Sequence, residues 1–102
     1  MTATARDVRL RAAELIELRD WWQAPPGTHS GRGPDGQICA SVALSDAAEE
    51  LAGGLNLLSE SLFRKTRCEV MTELRVSDLV GWNDARERTK AEVLAALRGG
   101  GA

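Results

Sequence analysis

From Gln23 to Gln37 the chain reads Gln-Ala-Pro-Pro-Gly-Thr-His-Ser-Gly-Arg-Gly-Pro-Asp-Gly-Gln, a stretch in which no helix or strand can persist. Proline removes a backbone donor and restricts its predecessor, and glycine admits too many conformations to hold a regular element. Regular structure must therefore lie on either side of this segment. Structureless loops this long are uncommon in compact domains and are either mobile or functional. Pro34-Asp35-Gly36 within it is a tight-turn signal.

The residues before the loop predict a helix from about 5 to 22. Thr4 and Asp7 form a variant capping box, and Val8, Ala12, Leu15 and Trp22 fall on one stripe at helical spacing, widened by Leu18 and Trp21. Arg9, Arg11, Glu14, Glu17 and Asp20 lie mostly off that stripe, and Pro25-Pro26 ends the helix.

After the loop, the small apolar run Ile38 to Leu44 reads as a buried helix rather than a strand. Ser45 or Asp46, with Glu49, caps a further helical turn, which Gly53-Gly54 stops or kinks. Leu55, Leu58 and Leu62, extended by Phe63, predict a third helix over about 55–65. Residues 66–76 alternate as a strand would, through Cys68, Val70, Thr72, Leu74 and Val76. An isolated strand has nothing to pair with, so helix or coil is expected there.

Ser77 caps a short helix over 78–82. Thr89 and Glu92 form a capping box for a last helix with Val93, Leu94 and Leu97 on its stripe and Gly99 as terminator. The expected fold is all-α: a compact bundle of four or five helices with one long Gly/Pro-rich loop. It forms a single helical domain over 1–98, with a flexible tail at 99–102.

Bulk properties exclude several classes. With 102 residues there is room for one domain, and 43% hydrophobic with 27% charged residues is globular rather than disordered composition. A net charge of −2 argues against a dedicated nucleic-acid binder. Arg64, Lys65 and Arg67 form a local basic patch, best explained as cations complementing the end of a predicted helix. No apolar run suits a signal peptide or a membrane span. Cys39 and Cys68 are too few for a disulfide framework, so free thiols in a reducing cytoplasm are expected.

Toward the C-terminus, Val80-Gly81-Trp82-Asn83-Asp84 is followed by Arg88-Thr89, Glu92-Val93-Leu94 and Leu97-Arg98. Upstream stand Ala12-Ala13-Glu14-Leu15-Ile16-Glu17, a tryptophan at 21 or 22, and Gly36 and Cys39 opening an alanine-rich apolar segment. In these residues the chain resembles a small family of uncharacterised proteins from actinobacteria and their phages, a domain of unknown function. Where that family has a Pro-Gly turn after the aspartate, this chain has Ala85-Arg86-Glu87, which leaves the turn conformation open. The resemblance implies an actinobacterial or phage source, in line with the excess of arginine over lysine expected of a GC-rich genome. It implies no activity, catalytic residue or cofactor.

Several constellations carry possible chemistry. Cys39, near a helix start after a glycine-rich loop, has the setting of an activated thiol. With His29, and Asn83 or Asp84 to orient the imidazole, it would form a Cys–His–Asp arrangement for acyl transfer. The competing reading makes Cys39 a small buried hydrophobe. One histidine and two separated cysteines, even with Asp84 and Glu87, do not make a metal-ligand set, and glycines 27, 31, 33 and 36 do not form a phosphate loop. Trp82-Asn83-Asp84 reads as an indole anchor followed by residues that satisfy backbone donors at a turn, with Arg86 or Arg88 pairing to Asp84. Its functional version is a polar ligand pocket of Asn83, Asp84 and Arg88 beside Trp82.

Adjacent helical residues point about 100° apart, so one of Trp21 and Trp22 is expected inside and the other partly exposed at the mouth of the loop, near the locally basic Gly31-Arg32-Gly33. The leading expectation is a protein-interaction or regulatory module that uses Trp21 or Trp22 and the 23–37 loop. Its partner would be a protein, with no cofactor, metal, nucleic acid or membrane, and the reading leans away from an enzyme. The alternatives are a small-ligand binder or cysteine-dependent enzyme using Cys39, and a structural or assembly protein that self-associates as a homo-oligomer.

Overall fold

A computed structural model describes residues 3–28 and 30–99. Five helices run through them: α1 (Ala5–Arg19), α2 (Ala40–Leu51), α3 (Leu57–Leu74), α4 (Leu79–Asp84) and α5 (Lys90–Arg98). The described residues contain no strand, only two isolated bridges that both involve Ile38. The all-α expectation holds. So do the two capping boxes seen in the sequence, Thr4 with Asp7 and Thr89 with Glu92. A third, Asn56 with Ser59, opens α3.

Helix α1 stops at Arg19, short of the expected residue 22, and the prolines are not what stops it. Asp20 leaves helical geometry at φ 74°, ψ 161°. Beyond it the backbone is claimed by Ile38, whose N–H donates to Asp20 O at 3.1 Å and whose carbonyl accepts from Trp22 N at 3.0 Å. Tertiary hydrogen bonds thus replace the next helical turn. Trp22 lies off the α1 stripe, and Leu18 is exposed.

The same residue anchors the described residues 31–39. Gly33 N–H donates to Gln37 O at 2.8 Å and Cys39 N–H to Gly31 O at 2.9 Å, so Ile38 is flanked by 20–22 on one side and 31–33 on the other. Ile38 itself is fully buried, while Pro25 to Thr28 and Pro34 to Gly36 stay exposed. Gly36 supplies the positive φ, 86°, that the Pro34-Asp35-Gly36 turn requires.

Other boundaries also move. Ile38 is extended and α2 begins at Ala40 with Cys39 as its N-cap; Ser45 and Asp46 lie inside an unbroken helix. Helix α3 starts later than expected, at Leu57, and continues through the ambiguous 66–76 segment to Leu74, so the alternation there was not a strand. Val70 and Thr66 fill its buried face. Arg64, Lys65 and Arg67 are consequently mid-helix and do not complement a helix end. Asp78, not Ser77, occupies the N-cap of α4. Gly99 is the left-handed cap of α5, as expected; the rest of the expected tail lies outside the described residues.

The core is built where α1 and α2 face each other through Val8, Ala12, Ile16, Ala43, Leu44 and Ala47, closed by Val70, Leu79, Val93 and Leu97. Alanines let the two helices approach closely, and each fully buried Ile, Leu or Val stabilises by about 1.5–3 kcal/mol. Arg9, which its sequence position places off the apolar stripe, is only 5% exposed. Its guanidinium donates to Leu97 O (2.9 Å) and Ala96 O (2.8 Å) at the end of α5, and to Glu69 and Glu73 of α3 (2.7 Å each). One side chain therefore ties three helices together.

Candidate functional site

Asn83 stands at the centre of the residues singled out in the sequence. It is fully buried on α4, with every polar atom occupied. Its Oδ1 accepts from Trp21 Nε1 at 2.8 Å and from the backbone N–H of Ala40 at 2.9 Å. Its Nδ2 donates to Trp22 O at 3.0 Å and to Asp84 Oδ1 at 2.8 Å. The side chain thus joins the exit of α1, the start of α2 and α4. The sequence reading had Asn83 satisfy a local turn; apart from Asp84, its partners are instead remote in sequence.

The neighbours repeat the pattern. Asp84 Oδ1 also accepts from Ala24 N at 3.2 Å, and Gln23 Nε2 donates to Ala85 O at 2.8 Å and Asn83 O at 3.1 Å. Arg88 does not pair with Asp84. Its Nε donates to Trp82 O at 2.9 Å, its guanidinium lies 4.2 Å from the centre of the Trp82 ring, and it reaches Glu92 at 3.0 Å. Trp82, Asn83, Asp84 and Arg88 do converge with Trp21, but as a seam that fastens α4 to the loop. The Asn83 side chain spends all its hydrogen bonds within the chain, whereas Asp84 also lines an open cleft with Gln23 and Arg86.

Of the tryptophan pair, Trp21 packs against the core and Trp22, half-buried, donates from Nε1 to Ser30 O at 3.1 Å. Arg32 is exposed but engaged: it grips Asp46 of α2 at 2.7 Å, and Arg19 holds the same carboxylate at 3.0 Å.

Cys39 is buried, 3% exposed, and its Sγ accepts from the Val42 backbone N–H at 3.5 Å. Burial pushes its thiol up from the ordinary range, outweighing the backbone donors that would lower it. Desolvation thus works against the activation that a helix N-terminus would give this thiol. His29, its candidate base, lies outside the described residues. Among the described residues no group of three or more His, Cys, Asp or Glu is placed to hold a metal ion, and no helix is long and apolar enough to cross a membrane.

The sequence reading missed a surface at the corner between α2 and α3. Leu55 and Leu57 are each 85% exposed, beside Leu51 at 40% and Leu58 at 45%. The reason is the cap. Asn56 opens α3, so Leu55 precedes the helix and Leu57 and Leu58 sit in a first turn that overhangs the core; only Leu62 of the expected stripe is buried. An open cleft of about 500 Å³ adjoins them, lined by Leu55, Leu57, Phe63, Glu49 and Glu60. The visible signal was four residues, Leu-Asn-Leu-Leu, directly after Gly53-Gly54: leucines on both sides of a helix-capping asparagine.

A family model described as a family of unknown function, DUF6197, matches residues 1–101, and the chain belongs to that family. No curated protein and no solved structure matches it.

Proposed function

We propose that this DUF6197 chain is a protein-interaction module whose contact surface is the leucine corner between α2 and α3. The observation that carries the reading is the exposure of Leu55 and Leu57, 85% each, next to an apolar cleft. Contiguous exposed apolar surface of this kind marks interaction sites. Each leucine that a partner covered would contribute about 1.5–3 kcal/mol before the entropic cost of association. The tryptophan–loop surface is the weaker choice, because Trp21 and Arg32 are already engaged by Asn83 and Asp46.

The free state of both cysteines supports a reducing compartment, and the arginine bias supports an actinobacterial or phage source. Photo-crosslinking tests the surface. A photoreactive group placed at position 57 should trap the partner in the native cell, and one at position 22 should not. Trapping only from position 22 would transfer the site to the loop, and trapping from neither would remove the reading.

A further inference from the structure

The cleft that Asp84 shares with Gln23 and Arg86 holds about 710 Å³, a volume that small-molecule sites commonly occupy. Pro25, Pro26 and Val80 give it apolar lining, and Asp78 lines it too. Two of its acceptors are fixed in place. The Asp84 carboxylate is held through Oδ1 by Ala24 N–H and Asn83 Nδ2, and the Gln23 amide is held through Nε2 by the carbonyls of Asn83 and Ala85. Among the described residues, Asp84 Oδ2 and Gln23 Oε1 accept nothing, and no buried side-chain oxygen is without a partner, so both oxygens are open to solvent. The charges are uncommitted as well. Asp78 is the N-cap of α4 but its side chain makes no capping hydrogen bond. Among the described residues neither Asp78, Asp84 nor Arg86 has an ion pair. Gly81 leaves room for the Asp78 carboxylate, since a Cβ there would stand 2.5 Å from Asp78 Oδ2.

A simple anion here would meet two carboxylates, and a simple cation would meet a guanidinium. A ligand that carries both charges matches all three groups. Its length follows from α4: Asp78 and Asp84 lie about 9 Å apart along the helix axis, with Arg86 just beyond. Three extended residues span about 10 Å. We propose that this cleft binds a short linear peptide with free termini, about three residues long. Its ammonium meets Asp78, its main-chain N–H groups meet Asp84 Oδ2 and Gln23 Oε1, and its carboxylate meets Arg86. Its apolar side chains lie on Pro25, Pro26 and Val80. The seam around Asn83 has already ordered the acceptors, which lowers the entropic cost of binding. Of the ligand pocket expected from the sequence, only Asp84 belongs to this cleft, and Arg86 takes the place of Arg88. The cleft lies on other elements than the leucine corner and stands independently of the docking reading.

The probe is the tripeptide Ala-Val-Ala, compared with its N-acetylated and C-amidated forms. Each is titrated into the isotope-labelled full chain at about 0.15 M salt and followed by backbone amide NMR shifts. Ala-Val-Ala should shift Thr28, Gly81 and Arg86, and each capped form should bind at least about tenfold more weakly. Arg86→Gln should erase the penalty for amidation and keep the penalty for acetylation. Asp78→Asn, which leaves a residue suited to the N-cap, should do the converse. Gly81→Ala displaces the Asp78 carboxylate and should weaken binding, although alanine favours a helix over glycine. Weaker binding by a chain that is at least as stable separates a ligand contact from a structural one.

No shift by about 10 mM peptide, tenfold above a dissociation constant of about 1 mM, overturns the inference. So does equal binding of the three forms, or a preference for free termini that survives both charge variants. A penalty for acetylation alone would make the cleft an amine site, and one for amidation alone a carboxylate site; either ends the peptide assignment. Shifts confined to Leu55, Leu57 and Phe63 would place the peptide on the leucine corner, against this site and in favour of the docking reading.

Discussion

Trp21 Nε1 and the backbone N–H of Ala40 share one acceptor, Oδ1 of Asn83, at 2.8 and 2.9 Å. Removing that oxygen leaves two donors without a partner, one of them at the buried start of α2. Asn83→Ala should therefore cost about 3 kcal/mol or more, since each buried polar group left unsatisfied costs about 1–3 kcal/mol. Asn83→Asp keeps the acceptor but sets a second carboxylate against Asp84, so it should also destabilise. Urea unfolding followed by tryptophan fluorescence checks both; a loss below about 1 kcal/mol for the alanine variant would remove Asn83 from its central place.

Arg9 carries the second joint. Arg9→Met keeps much of the buried stem but frees Glu69 and Glu73 and strips two donors from the carbonyls at the end of α5. The glutamates are 42% and 50% exposed, so solvent screens much of their share, and the expected loss is about 2 kcal/mol rather than that of a fully buried pair. Arg9→Lys should recover only part of it, because an ammonium cannot span four acceptors with the geometry of the guanidinium fork. Equal stability of the lysine variant and the parent in urea would count against this account.

The same pair sets an acid-side dependence. The hydrogen bond from Arg9 holds the Glu73 carboxyl below its ordinary value of 4.5. A carboxyl depressed in the folded state binds its proton more readily when unfolded. Its contribution is therefore complete above the ordinary range and is lost as pH falls through about 4.5 and below. Asp7, Asp20 and Glu92 are depressed too and act with the same sign. Stability measured from neutral pH down through that range should fall, and Arg9→Met should make the fall shallower.

Thiol chemistry separates the two cysteines. Cys68 is exposed on α3, whereas Cys39 is buried with its thiol pushed up by desolvation. Under native conditions at neutral pH an alkylating reagent should modify Cys68 promptly and Cys39 only after unfolding. Mass spectrometry of partly labelled chain reads the order directly. Modification of Cys39 faster than an unfolded-chain thiol would revive it as a nucleophile.

Much of the fold was legible where the signal was local. Thr4 with Asp7, Thr89 with Glu92, and Gly99 each act on a neighbour within a few residues, and the structure shows all three at work. What sequence could not show depended on remote partners. Ile38 ends α1 by hydrogen bonding to Asp20 and Trp22, and no periodicity in either segment announces that pairing. Arg9 is buried by acceptors on α3 and α5 that are distant in the chain. Trp82, Asn83, Asp84 and Arg88 stood out for good reason, but what they satisfy lies in residues 21–24, in Ala40 and in their own neighbourhood. The leucine corner was hidden because helical spacing treats Leu55 as part of a stripe, and only the cap at Asn56 shows that it precedes the helix.

Asp20 adopts φ 74°, ψ 161°, a region open to glycine and costing other residues about 1–3 kcal/mol. Four hydrogen bonds hold it there: its N–H to Ile16 O, its carbonyl from Ile38 N, and its Oδ1 from Trp21 N and from Lys90 Nζ. The first two are backbone bonds and survive any substitution that the conformation tolerates. The side-chain pair is exposed and weak. Asp20→Ala loses the carboxylate and keeps the strain; Asp20→Gly loses the carboxylate and releases the strain. The glycine variant should therefore be more stable than the alanine variant by about 1–2 kcal/mol, despite the greater freedom glycine gives the unfolded chain. Thermal and urea unfolding of the two variants side by side decide it. If alanine proves equal to glycine, the backbone is not strained at this point, and α1 ends for a reason other than the grip of Ile38.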